Sequence, residues 1–131
     1  MASSETIFLT ALGAAMGAVV RYLAQEIFSR KSQIPGWIAI GLVNLAGCLL
    51  IGFLQGPTTM DMAAAAESSP SRWLILWVSF CGGLTTFSTF SLDNVVLSQR
   101  YRGQLAFNVM GSLFGGWFMV VLGIVLSRHL G

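Results

Sequence analysis

Four long apolar stretches, at about residues 7–23, 37–54, 73–97 and 105–126, constrain this chain more than any other feature. Each is close to or above the roughly 20 residues that a helix needs to cross about 30 Å of hydrocarbon. A soluble fold would need charge to cover its surface. Only 9% of the residues are charged, where a soluble domain usually carries about 25%. With hydrophobic residues at 55%, lipid is the solvent that fits. In lipid every backbone N–H and C=O must be satisfied within the protein, which leaves helices or a closed barrel. The alternating pattern of barrel strands is missing. The sequence therefore predicts an all-α integral membrane protein, with residues 1–131 forming a single domain of four transmembrane helices.

The connections agree with this division. Trp37, Trp73 and Tyr101 sit at or near span ends, where amphipathic rings favour the interface. Breaker residues fill the gaps: Pro35-Gly36, Gly56-Pro57, Ser69-Pro70-Ser71 and the run Arg100 to Gly103. Met62 to Glu67 reads as a short interfacial turn of helix. The first stretch is preceded by Glu5, and its basic residue, Arg21, comes only near its end, the reverse of a secretory signal, so it is expected to remain as the first span. Arg30, Lys31, Arg100 and Arg102 fall on one side, Arg72 and Arg128 on the other. That imbalance is slight, and it permits insertion in both orientations.

Several function classes are disfavoured. A net charge of +2 without a basic cluster gives no reason to expect nucleic acid. Cys48 and Cys81 lie inside apolar stretches and read as small buried hydrophobes. His129 is the only histidine, so a histidine metal site cannot be built from one chain. No nucleophile–base pair suggests an enzyme. A proton-coupled exporter would need a carboxylate inside the membrane; the first, second and fourth stretches hold none, and the third holds only Asp93. An assembly subunit would explain the small-residue pairs Gly13/Gly17, Gly52/Gly56 and Gly111/Gly115, which let helices approach closely. It would not explain a run of hydroxyls in the middle of the third stretch.

Polar groups at membrane depth are costly and invite a functional reading. Arg21, near the end of the first stretch, either snorkels to the headgroups or forms an electropositive vestibule. Asn44, near the middle of the second, either joins two helices or donates to an anion in transit. Asn108 and Ser112 lie in the fourth. The sharpest signal is GGLTTFSTFS, Gly82 to Ser91. Two adjacent glycines cost a helix about 2 kcal/mol, and Thr85, Thr86, Ser88, Thr89 and Ser91 follow. The sequence predicts a third helix broken near mid-membrane, with carbonyls for a cation and a helix N-terminus for an anion. Phe87 and Phe90 share a helix face, and their ring edges are partly positive. Such spacing alone is more often core packing.

On these motifs, the chain resembles the Fluc (CrcB) family of fluoride channels over nearly its whole length. The matching residues are Gly17-Ala-Val-Val-Arg21, Val43-Asn44-Leu45-Ala46-Gly47 and GGLTTFSTFS, of which the third is the most specific. The resemblance implies an antiparallel dual-topology homodimer in the cell membrane, with two pores that pass fluoride passively. It implies that Phe87 and Phe90 turn their edges to the ion and that Asn44 is the pore asparagine. Ser112, with Ser88 and Thr89, supplies hydroxyls, and Arg21 belongs to the entrance. It also implies a structural Na+ at the dimer axis, held by the carbonyls of Gly82 and Thr85. Two positions depart from the pattern: Ile40 replaces a frequent threonine, and Asp93 a frequent glutamate.

Overall fold

The computed structural model describes residues 3–31, 34–56 and 71–130. Among them are five helices: α1 Ser4–Lys31, α2 Gly36–Gln55, α3 Arg72–Leu84, α4 Phe87–Arg100 and α5 Arg102–Leu130. They make four candidate membrane spans, because α3 and α4 together form one apolar stretch, Arg72–Arg100. Their length and composition make the chain a multi-pass membrane protein. The turn expected at Met62 to Glu67 lies outside the described residues.

Helices outrun the apolar stretches that announce them. α1 continues to Lys31, where Ala24, Gln25 and the Glu26–Arg30 ion pair favour helix over any stop. Arg21 is therefore well inside α1, not within a turn of its end. Ser71 starts α3 by accepting the N–H of Leu74 at 3.2 Å. Between α4 and α5 the only residue is Tyr101, whose N–H donates to Leu97 O and whose carbonyl accepts from Leu105.

Two glycine seams build the frame. On α1, Gly13 lies against Leu76 and Ser79, and Gly17 against Phe80 and Gly83. A Cβ at Gly17 or Gly83 would overlap the facing backbone, so only glycine permits this approach. The contacts rise together along both helices, which makes α1 and α3 parallel. Glu5 and Arg72 close their N-terminal ends at 2.8 Å. In the same way Gly115 meets Leu45, Gly52 meets Val120, and Gly123 meets Leu49 and Phe53, so α2 and α5 also run parallel. Gly56 meets Ser127. Gly111, paired with Gly115 in the sequence, faces open space.

The core is thin. Ala39, Ile40, Val43, Cys81, Leu84 and Leu97 are buried, Ile40 almost completely. Phe107, Leu113, Trp117 and Leu130 are each largely exposed. Water would not tolerate so much apolar surface on a folded chain; lipid or another membrane helix does.

Candidate functional site

The third span is interrupted at Thr85 and Thr86, which are both extended, with ψ of 151° and 124°. The glycines are not the break. Gly82 and Gly83 are helical, and Gly83 serves the seam with Ala14. What ends the helix is a competition for backbone donors. Thr86 N–H donates to Asn44 Oδ1 at 2.9 Å, and Asn44 Nδ2 returns a bond to Thr86 O at 3.3 Å. The amide thus takes both backbone groups of one residue, as a neighbouring strand would. Helix-joining, the commoner of the two roles open to Asn44, is present. One of its two N–H groups is used in this pair.

The hydroxyls behind the break restart the helix. Thr86 Oγ1 accepts the N–H of Thr89 at 3.4 Å, and it lies 3.1 Å from Ser88 Oγ and 3.3 Å from Thr89 Oγ1. This is an N-cap, and it makes Phe87 the first residue of α4. Thr85 Oγ1 instead turns back to Cys81 O at 3.1 Å.

The same exchange strips two carbonyls of their helical donors. In an unbroken helix Gly82 O would receive Thr86 N–H, and Thr85 O would receive Thr89 N–H. Both donors are engaged elsewhere. Arg21 reaches toward Thr85 O, with Nη1 at 3.5 Å, and a Cβ on Gly82 would meet nothing within 4 Å. Thr85 O thus has a guanidinium donor, and the Cα of Gly82 faces open space. No cluster of three His, Cys, Asp or Glu occurs among the described residues.

In front of the break is an open cavity of about 450 Å³, lined by Asn44, Thr85, Thr86, Phe87, Phe90 and Ser112, with Cys48, Val109 and Leu113. Four of the residues that the sequence assigns to an anion path, Asn44, Phe87, Phe90 and Ser112, thus share one wall. The ring centroids of Phe87 and Phe90 are 6.1 Å apart at 39°, and Phe87 is 79% exposed. Ser88 and Thr89 are not in this lining; they serve the cap. Arg21 is not in the lining either; it donates to the carbonyl of Thr85, which is.

Three participants escape a reading of the sequence. Thr86 is there only one hydroxyl of a run, yet both its backbone groups and its hydroxyl organise the break. Cys48 is expected to be buried, yet it is half-buried in the cavity wall one turn after Asn44. Asn94 draws no notice, yet it accepts a 2.8 Å bond from the buried Asn108. The spacing of Cys48 from Asn44 is a usable signal; a partner for Asn108 is not visible without the packing.

Known proteins resemble this chain in sequence over most of its length. The family model described as CrcB-like protein, Camphor Resistance (CrcB), matches residues 8–124. The chain is 35% identical over 127 residues to the fluoride-specific ion channel FluC of Flavobacterium psychrophilum, covering 96% of this chain and 99% of that one. It is 37% identical to a protein of the same description in Methanococcus maripaludis, covering 92% and 94%. A third relative, from Pseudomonas aeruginosa and described likewise, is 39% identical over 92% of this chain and 91% of its own.

Proposed function

Because the chain belongs to the CrcB family, we propose that it is a fluoride channel of the cell membrane, working as an antiparallel dual-topology homodimer that lets fluoride leave the cell passively. The observation that carries this reading is the cavity in which Asn44, Phe87, Phe90 and Ser112 converge. Fluoride is small and strongly hydrated, so a path for it must replace water with donors that do not grip too tightly. The second Asn44 N–H, the Ser112 hydroxyl and the phenylalanine ring edges supply weak positive potential of that kind. The N-terminus of α4 adds to it. None of the residues lining the cavity is a carboxylate, which favours a passive anion path over proton-coupled cation export.

Direction follows from charge. A membrane negative inside drives an anion outward, at about 2.3 kcal/mol per charge per 100 mV. Fluoride that entered as the neutral acid and ionised inside would leave by this route.

The dimer reading is supported by the thin core and by Gly82, which has open space where a second copy could approach. Two antiparallel copies would bring two sets of Gly82 and Thr85 carbonyls together, and Na+ between them would bind the copies as a structural ion. It takes no part in conduction.

The test is purified protein in liposomes loaded with fluoride, read by an electrode, with an ionophore to balance charge. Fast fluoride release with little chloride release, with or without a pH gradient, is the expected result. Equal rates for the two halides, or a requirement for a proton gradient, would overturn the reading. In the same assay, exhaustive removal of sodium is expected to abolish release, and full activity without sodium would refute the structural ion.

A further inference from the structure

Equidistant from Tyr101 along the chain, two side-chain amides meet. Asn108 Nδ2 donates to Asn94 Oδ1 at 2.8 Å, and Asn108 is only 5% exposed. Because Tyr101 alone separates α4 from α5, the two helices fold back on each other as a tight hairpin. One turn back along α4 from Asn94 is Phe90, and one turn forward along α5 from Asn108 is Ser112. Those two residues line the same cavity. Asn94 also shares a stripe with both rings, since 87, 90 and 94 follow the spacing of one helix face.

We propose that Asn94 and Asn108 are a positioning pair, which pins the register of α4 against α5 and so holds the Phe90 ring opposite Ser112. The proposal rests on the fluoride reading for its consequence, though not for its geometry. Asn44 holds the start of α4 through Thr86, and Tyr101 ties its end to α5, but the glycine seams do not hold the stretch between. They join α1 to α3 and α2 to α5, and α4 contains no glycine. Leu97 is the single buried residue of α4. Apolar contacts alone fix register weakly in lipid, where hydrocarbon tails serve a leucine as well as a neighbouring helix does. A directional bond between two amides is different. Slipping the hairpin would leave both without partners in an apolar medium, as a single buried asparagine fixes register in a coiled coil. Neither amide needs to touch the ion; the pair acts through Phe90 and Ser112.

The experiment uses variants that change reach while keeping hydrogen-bonding groups. Asn94→Ser shortens one arm by about the length that Asn108→Gln adds to the other. Each single variant is expected to slow fluoride efflux from liposomes about tenfold and to lower the fluoride-to-chloride ratio, and the double variant to return within about threefold of the parent. Register is read separately from spin labels at Leu92 and Met110, both exposed, with Cys48→Ala and Cys81→Ala removing the native thiols. The label distance is expected to broaden or move by up to about one turn, 5.4 Å, in the singles and to return in the double. Unchanged distances in both singles overturn the proposal, as does an efflux loss that the double does not rescue. A parent protein that releases no fluoride overturns the channel reading instead, and the label distances still decide the register. If Asn94→Ser fails to fold, the mirrored set Asn94→Gln with Asn108→Ser poses the same question.

Discussion

Gly83 and Thr86 are close neighbours in the chain, yet they are held by opposite means. Gly83 is held by having nothing: without a Cβ, its backbone lies directly on Ala14. Thr86 is held by using everything it has, with its N–H and C=O on Asn44 and its hydroxyl on the restarted helix. At Gly13, Gly17, Gly52, Gly83 and Gly123 the seams are close-packed backbone that tolerates no addition. The break is a hydrogen-bonded device beside an open cavity. Frame and site therefore fail differently when mutated, and that difference is measurable.

The largest effect is expected in the frame. Gly17→Leu places a side chain where Phe80 O and Leu84 N already stand, and neither helix can yield without losing the rest of the seam. Overpacking typically costs about 1–3 kcal/mol and occasionally more, and a clash with backbone belongs at the upper end. Folded protein should be lost from size-exclusion profiles, and fluoride release with it. Gly41→Ala is the control, since a Cβ there meets nothing within 4 Å. It should elute unchanged. A folded Gly17→Leu protein would erase the distinction between seam and break.

Asn44→Ala attacks the break while leaving the seams alone. It strips a buried N–H and a carbonyl of their partners, at about 1–3 kcal/mol for each group left unsatisfied. The helices should remain, but fluoride release should fall about a hundredfold, the equivalent of ~2.7 kcal/mol on the barrier. Hydrogen exchange at the Thr86 amide should speed up. Slow exchange there, with release near normal, would show that the amide pair does not hold the break.

Much of this frame is legible in the sequence because lipid leaves few choices: length and apolarity specify spans, and glycines at four-residue spacing mark seams. The site is legible in its residue types but not in their division of labour. Gly82-Gly83 looks like the break because glycine disfavours helix. In the fold that propensity is overridden by the packing that Gly83 makes possible. Ser88 and Thr89 look like pore hydroxyls, and they sit in the cap of Thr86. Local sequence cannot say which way a hydroxyl turns when a backbone donor and an ion path compete for it. Arg21 looks terminal because the apolar run stops near it, although helix and span need not end together.

A smaller effect is expected at the rings. Phe87→Ile and Phe90→Ile keep bulk and remove the partly positive edge. Each should slow fluoride release about tenfold, or ~1.4 kcal/mol, with elution unchanged. Phe90, which the Asn94–Asn108 pair is proposed to hold opposite Ser112, should show the larger loss. Normal release in both variants would demote the rings to packing and leave the cavity with only its polar wall.

The smallest effect belongs to the Glu5–Arg72 pair, which tests whether the seam needs an electrostatic clasp at all. The two side chains meet at 2.8 Å but remain 51% and 77% exposed. Exposed ion pairs of this sort contribute less than about 1 kcal/mol and are screened by salt. Glu5→Gln should therefore leave release and elution within error, at low and at physiological ionic strength. Just beyond the pair, backbone contacts between Gly13 and Leu76 already hold α1 on α3, so loss of the charge has little left to undo. A salt-dependent loss of folded protein in Glu5→Gln would mean that close packing alone does not hold this seam, and the contrast between frame and break would have to be redrawn.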